Sequence, residues 1–162
     1  MSTRPNALPW LLLSLLVIAF DQWTKHVALA GLEPYSPLAV IPGLLNWTLA
    51  FNPGAAFSFL AGADGWQRWL FTALAIGVSL VLAVWLSRTP RRDWRNAAPL
   101  ALVIGGALGN LIDRLRFGHV VDFVQVYWRD WAFPAFNVAD SAISVGAVML
   151  ILFSLLPARN PS

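Results

Sequence analysis

Four long apolar windows, at approximately 8–27, 69–86, 97–115 and 139–156, alternate with shorter polar segments along this chain. Each approaches the roughly 20 mainly apolar residues that a helix needs to cross a bilayer. The pattern predicts an all-α membrane protein, with four transmembrane helices in one integral membrane domain over residues 1–162. The connections at 28–68 and 116–138 carry a different period. Glu33–Arg68 opens with turn-forming Pro34, Pro37, Pro42 and Gly43, and then Leu45–Phe51 alternates large apolar residues, as a strand with one buried face does. Val120–Val126 is a second strand candidate, and Arg129-Asp130 a turn. Ala55–Ala61 has the pattern of a short amphipathic helix lying in the interface. Asp64-Gly65-Trp66-Gln67 has capping-box character and is expected to start helix two. The expected architecture is a bundle roofed on one side by a small β-sheet and a short interfacial helix. No internal repeat or low-complexity tract interrupts it.

Composition strengthens the membrane reading. Hydrophobic residues make up 58% of the 162 positions and charged residues 12%, with a mean hydropathy of +0.64; a soluble domain carries roughly a quarter charged residues. There is no cysteine, which excludes disulfides, a thiol nucleophile, a cysteine-ligated metal and lipid attachment through sulfur on this chain. His26 and His119 stand in unrelated contexts with no HExxH, so neither a protein-built metal site nor a cofactor is expected. Arg4, an apolar run and Ala28-Leu29-Ala30 superficially resemble a secretory signal with its cleavage site. The run exceeds a signal's apolar region, and Asp21, Gln22, Thr24 and Lys25 interrupt the approach to the site. Segment one therefore reads as a retained helix.

Charge orients the bundle. The loop between segments two and three holds Arg88, Arg91, Arg92 and Arg95, which marks it as cytoplasmic under the positive-inside rule. With four spans both termini share that side, where six cations (with Arg4 and Arg159) and one acid, Asp93, leave a net charge of +5. The other side holds five cations and seven acids, a net of −2. The isoelectric point near 10.2 thus reflects topology, and no nucleic-acid partner is implied. Trp10, Trp85 and Trp94 fall at inner helix ends. Trp23, Trp66 and Trp69 fall at outer ends, with Trp47, Trp128 and Trp131 in the outer connections, as an interfacial aromatic belt requires.

Four carboxylates, Asp21, Asp113, Asp122 and Asp140, then gather at the outer ends of the spans, and ionisable groups at membrane depth point to function. Asp122 lies inside the apolar stretch Val120–Phe123, a position that a buried strand would normally deny a charge. Asp140 sits three residues after Asn137, where it serves either as the acidic partner of a helix cap or in chemistry. Two nearby carboxylates sharing one proton can hydrolyse a peptide without metal, thiol or serine: the ionised member takes a proton from water, and the protonated one assists the scissile carbonyl and leaving amine. Asn52 and Asn137 could orient substrate without adding charge. In Gly105–Arg114, Gly105 and Gly109 have the spacing of close helix approach. Asn110 and Asp113 share a face, so Asp113 is open to an ion-pair role or a functional one, and Arg114 could fork onto a substrate carbonyl or a lipid headgroup. Asp21 and Lys25, four apart, suit structural tethering, with Lys25 snorkelling to the interface. Asn52-Pro53-Gly54 is a turn that lets backbone approach a ligand.

Together Asp21-Gln-Trp-Thr-Lys25, Asn52-Pro-Gly-Ala-Ala-Phe57, Gly105–Arg114, Val120-Val-Asp-Phe123 and Phe136-Asn-Val-Ala-Asp140 closely resemble the lipoprotein signal peptidases (signal peptidase II) of bacteria, in order and spacing and over essentially the whole chain. The resemblance implies an aspartic endopeptidase of the bacterial inner membrane, multi-pass, with its site at the periplasmic face. Its substrate would be a diacylglyceryl-prolipoprotein, cut just before the lipid-bearing cysteine. By motif match Asp122 and Asp140 are the catalytic dyad. Asn52, Gly54, Asn110, Arg114 and Asn137 bind substrate, and Asp21, Lys25 and Asp113 support the site. Membrane lipid is an implied partner, and the cyclic peptide globomycin an implied inhibitor. Ala55–Ala61 is then expected to close over the dyad as a lid. Two rivals are weaker. A serine protease lacks a GxSG context at Ser14, Ser79, Ser141, Ser144 or Ser154. A non-enzymatic transporter or channel, with Asp21 and Asp113 as an ion relay, would show repeats and midplane polar groups.

Overall fold

A computed structural model describes residues 6–54 and 65–157. Its helices are α1 (Leu11–Gly31), α2 (Trp66–Arg88), α3 (Trp94–Phe117) and α4 (Val138–Ser154), and its strands β1 (Leu38–Ile41), β2 (Leu45–Asn52), β3 (Val120–Trp128) and β4 (Trp131–Ala132). The expected interfacial helix at 55–61, the lid assigned to it, and Asp64 lie outside the described residues. Helix α2 starts from Gly65, a left-handed N-cap; the expected capping box, which needs Asp64, falls outside the described residues.

Helix α3 is the hub, packing against α1, α2 and α4. Its start is capped by Asp93, whose carboxylate accepts from the Asn96 backbone N–H, and it ends at Gly118, whose φ of 83° only glycine adopts readily. Three of its glycines set the packing distances. A Cβ on Gly105 would lie 2.9 Å from the Ser14 carbonyl oxygen, and one on Gly106 would lie 2.4 Å from the Ala139 carbonyl oxygen. One on Gly109 would lie 2.8 Å from the Asp21 carboxylate. The anticipated Gly105/Gly109 spacing thus faces α1, and Gly106 admits α4.

The bundle is turned inside out relative to a water-soluble one. Ser14, Asp21, Lys25, Thr72, Ser79 and Asn110 are buried, while Leu12, Leu16, Trp69, Val81 and Ile151 are each more than 60% exposed. Such a surface suits hydrocarbon. Helices α1 (with its preceding 3-10 turn), α2 and α3 are long and apolar enough to cross a membrane. Helix α4 is apolar but has 17 residues, about 26 Å at the usual rise. Eight of the nine tryptophans are exposed.

The four strands form one antiparallel sheet in the order β1-β2-β3-β4. Strand β1, between Pro37 and Pro42, and the two-residue β4 escape a search for alternation because proline-bounded and very short edges carry little pattern. Arg129 takes a positive φ in the predicted turn. Strand β2 does not alternate throughout: pairing slips between Trp47 and Ala50, so Thr48 and Leu49 are both buried, as a bulge requires. Beyond the slip Ala50 pairs with Asp122. The start of β3 is buried on both faces, because it runs directly over the end of the bundle where α1 and α3 finish and α4 begins.

Candidate active site

Asn137 connects the two candidate acids. It caps α4 reciprocally with Asp140: its Oδ1 accepts from the Asp140 backbone N–H at 2.8 Å, and Asp140 Oδ2 accepts from the Asn137 backbone N–H at 3.2 Å. Because a backbone N–H can only donate, that bond fixes the orientation of the carboxamide, and its Nδ2 donates to Asp122 Oδ1 at 2.7 Å. Asn110 completes the link. Its Oδ1 accepts from Lys25 Nζ at 2.9 Å, so its Nδ2 faces Asp140 Oδ1, 2.7 Å away. The two roles foreseen for Asp140 are compatible, one oxygen serving the cap and the other the site.

Asp122 is 2% exposed. Burial, and then the neighbouring charge of Asp140, push its pKa up to about 7, against opposing hydrogen bonds from Asn52 and Asn137 and the attraction of Lys25. A carboxyl held protonated near neutrality beside a second acid can serve as a general acid.

Beneath them lies an ion cluster. Lys25 Nζ contacts Asp21 Oδ2 at 2.8 Å and Asp113 Oδ2 at 2.7 Å, and all three residues are at most 2% exposed. The expectation that Lys25 snorkels to the interface is therefore wrong. A buried ammonium is stable only when paired, and here two carboxylates and an amide oxygen hold it inside. As the chain's only lysine, it is not free to serve a serine as base. Asp21 Oδ1 also accepts from the Ala139 backbone N–H at 2.9 Å, and Asp113 Oδ2 from that of Val121 at 3.1 Å. The cluster thereby ties α1 and α3 to the segments that carry Asp140 and Asp122. Gln22, which the sequence marked only as a polar interruption, donates to Asp113 Oδ1 at 2.8 Å and to Asp21 Oδ2 at 3.2 Å.

Arg114 Nη2 donates to the Gly54 carbonyl at 3.0 Å, and the guanidinium lies 5.3 Å from the centre of the Phe71 ring. The fork expected to take a substrate carbonyl thus takes one from the chain's own turn, whose Gly54 N–H donates to Asn52 Oδ1 at 3.0 Å. Asn52, Asn110, Arg114 and Asp140 line a cavity of about 620 Å³. Its apolar wall, Phe133, Pro134, Phe136, Ile143 and Val145, was not anticipated. Those residues carry no chemistry, so only their location marks them.

A family model described as signal peptidase (SPase) II matches residues 13–156. The chain belongs to the signal peptidase II family. Within it, the lipoprotein signal peptidase of Xanthomonas campestris pv. campestris (strain 8004) is 58% identical over 162 residues, covering 99% of this chain and 97% of that one. That of Xylella fastidiosa (strain M12) is 56% identical over 158 residues, covering 98% and 95%. Two solved structures of a bacterial membrane enzyme, obtained in meso, superpose with TM-scores of 0.79 and 0.78 at 29% and 30% identity. They cover 95% and 98% of this chain, and 93% and 99% of theirs. This signal peptidase II chain is accordingly a membrane protease by family. The described residues of its five motifs converge on one end of the bundle, each motif supplying a side chain or backbone group to the network described above.

Proposed function

We propose that the chain is an aspartic endopeptidase, one integral membrane unit of four spans. It removes signal peptides from prolipoproteins by cutting before the diacylglyceryl-modified cysteine. The observation that carries the reading is the pair of acids on separate elements, Asp122 on β3 and Asp140 on α4, joined through Asn137 and Asn110, with Asp140 lining the cavity. Asp122 holds the shared proton near neutral pH and Asp140 takes the proton of the attacking water. Asp122 hydrogen-bonds the scissile carbonyl, and the acid that gained a proton returns it to the departing amine. Asn52, Gly54, Asn110, Arg114 and Asn137 position the substrate backbone. Asp21, Lys25 and Asp113 hold the elements that carry the dyad.

The substrate suits the cavity's shape. Val145 lines it and is also 51% exposed on the outer surface of α4, so the cavity wall runs into the lipid-facing surface. A helical signal peptide and two acyl chains would enter sideways from the bilayer. Globomycin, a cyclic peptide, would occupy the same cavity. The site would face the periplasmic side of the inner membrane, with both termini in the cytoplasm.

Purified protein in detergent, given a lipidated prolipoprotein, tests the dyad. Asp122→Asn and Asp140→Asn are each expected to lower turnover by about 10²–10⁴-fold, the usual worth of a general acid or base, and neither serine reagents nor chelators should inhibit. Near-wild-type cleavage by either variant would refute the assignment.

A further inference from the structure

The end of the bundle opposite the dyad carries a second feature that peptide hydrolysis does not use. Arg88 at the end of α2, and Arg91 and Arg92 in the loop before α3, are all exposed, and none pairs with an acid among the described residues. The loop's one acid, Asp93, is committed to α3, accepting from Asn96 Nδ2 at 2.7 Å and from the Asn96 backbone N–H. Its charge is thus partly spent on the helix start, whose dipole adds positive potential at the same place.

The loop is also held in shape. The Ala7 backbone N–H donates to the Thr89 carbonyl at 2.9 Å, Trp10 Nε1 donates to the Arg91 carbonyl at 3.2 Å, and the Asp93 N–H donates to the Pro90 carbonyl at 2.9 Å. Exposed Trp85 and Trp94 flank it on α2 and α3. Since both helices are long enough to span, and indoles settle at headgroup level, the three guanidinium groups sit where lipid phosphates are.

We propose that the Arg88–Arg92 loop is a standing binding site for an anionic phospholipid headgroup, the phosphodiester held by these guanidinium groups between the two indoles. A guanidinium matches phosphate oxygens with paired N–H donors, and a pre-shaped loop loses little freedom on binding. This goes beyond the role of such a loop in membrane insertion, and it stands whether or not the dyad assignment does.

Native mass spectrometry of the purified protein, offered equal amounts of phosphatidylglycerol and phosphatidylcholine, provides the test. Wild type is expected to retain phosphatidylglycerol at least about tenfold over phosphatidylcholine, since juxtamembrane cations attract anionic lipid, with the preference shrinking as salt rises. R88Q/R91Q/R92Q should abolish the preference, while the corresponding triple lysine variant should keep most of it. Should the triple glutamine variant fail to insert, R92Q alone must still weaken retention. Equal retention of both lipids by wild type, an unchanged preference in the glutamine variants, or full displacement by millimolar inorganic phosphate would overturn the proposal.

Discussion

Asn110 and Asn137 each have an oxygen claimed by a group that can only donate, Lys25 Nζ in one case and the Asp140 backbone N–H in the other. Their Nδ2 atoms are thereby aimed at Asp140 and Asp122, so two amides orient two acids without adding charge. The pH dependence follows. With its pKa raised from 3.8 to about 7, Asp122 loses its proton above neutrality, and with it the general acid of the proposed mechanism. Turnover should then fall about tenfold per pH unit on the alkaline side. Asn52 favours the ionised form of Asp122, so Asn52→Leu should move that limb to higher pH; an unmoved or lowered limb contradicts it. Stability shifts too. Between pH 3.8 and about 7 the folded chain holds a proton on Asp122 that the unfolded chain has lost, so stability declines as pH rises through that window. Thermal unfolding in detergent should show Asp122→Asn less sensitive than wild type between pH 5 and 8, and at least as stable at pH 8. An unusually placed Asp122 is visible in the sequence as a charge in an apolar strand. The burial of Lys25 is not, because Asp113 and Asn110 reach it from another helix.

At the level of elements, the glycines of α3 matter through what they admit. Gly106 has the Ala139 carbonyl oxygen 2.4 Å and Ile143 Cγ1 2.7 Å from where a Cβ would be. Gly106→Ala must therefore push α4 away or distort it, a cost of about 1–3 kcal/mol by the usual scale for overpacking. The measurement is thermal stability in detergent. Since α4 carries Asp140, turnover should drop along with stability, whereas Gly77→Ala on the open face of α2, with nothing within 4 Å, should leave both near wild type. Helix positions were legible because apolar windows of membrane length are hard to mistake. The edge strands β1 and β4 and the slip in β2 were not, since sheet register depends on a partner that lies about 70–80 residues away in sequence for β2 and β3.

For the molecule as a whole, the buried polar network with its four acids lies at one end of the bundle and the arginine loop at the other. The chain lacks cysteine, so single cysteines report orientation directly. In intact spheroplasts, Ser36→Cys beside the sheet should react with a membrane-impermeant maleimide, and Pro90→Cys in the arginine loop should react only after permeabilisation. The reverse pattern would invert the proposed topology.

Hydropathy and charge were enough for the helical windows, the membrane class and the four acids, and the resemblance of five motifs in fixed order for the family, because each is a local property of the sequence. Which acids meet through amides, which are neutralised beneath them, and what shape surrounds the pair depended on packing. Asp21, Lys25, Asn110, Asp113, Asp122 and Asp140 come from α1, α3, β3 and α4. Their distances follow from how closely glycine-faced helices approach and where β3 crosses the bundle end, and those are properties of the folded chain.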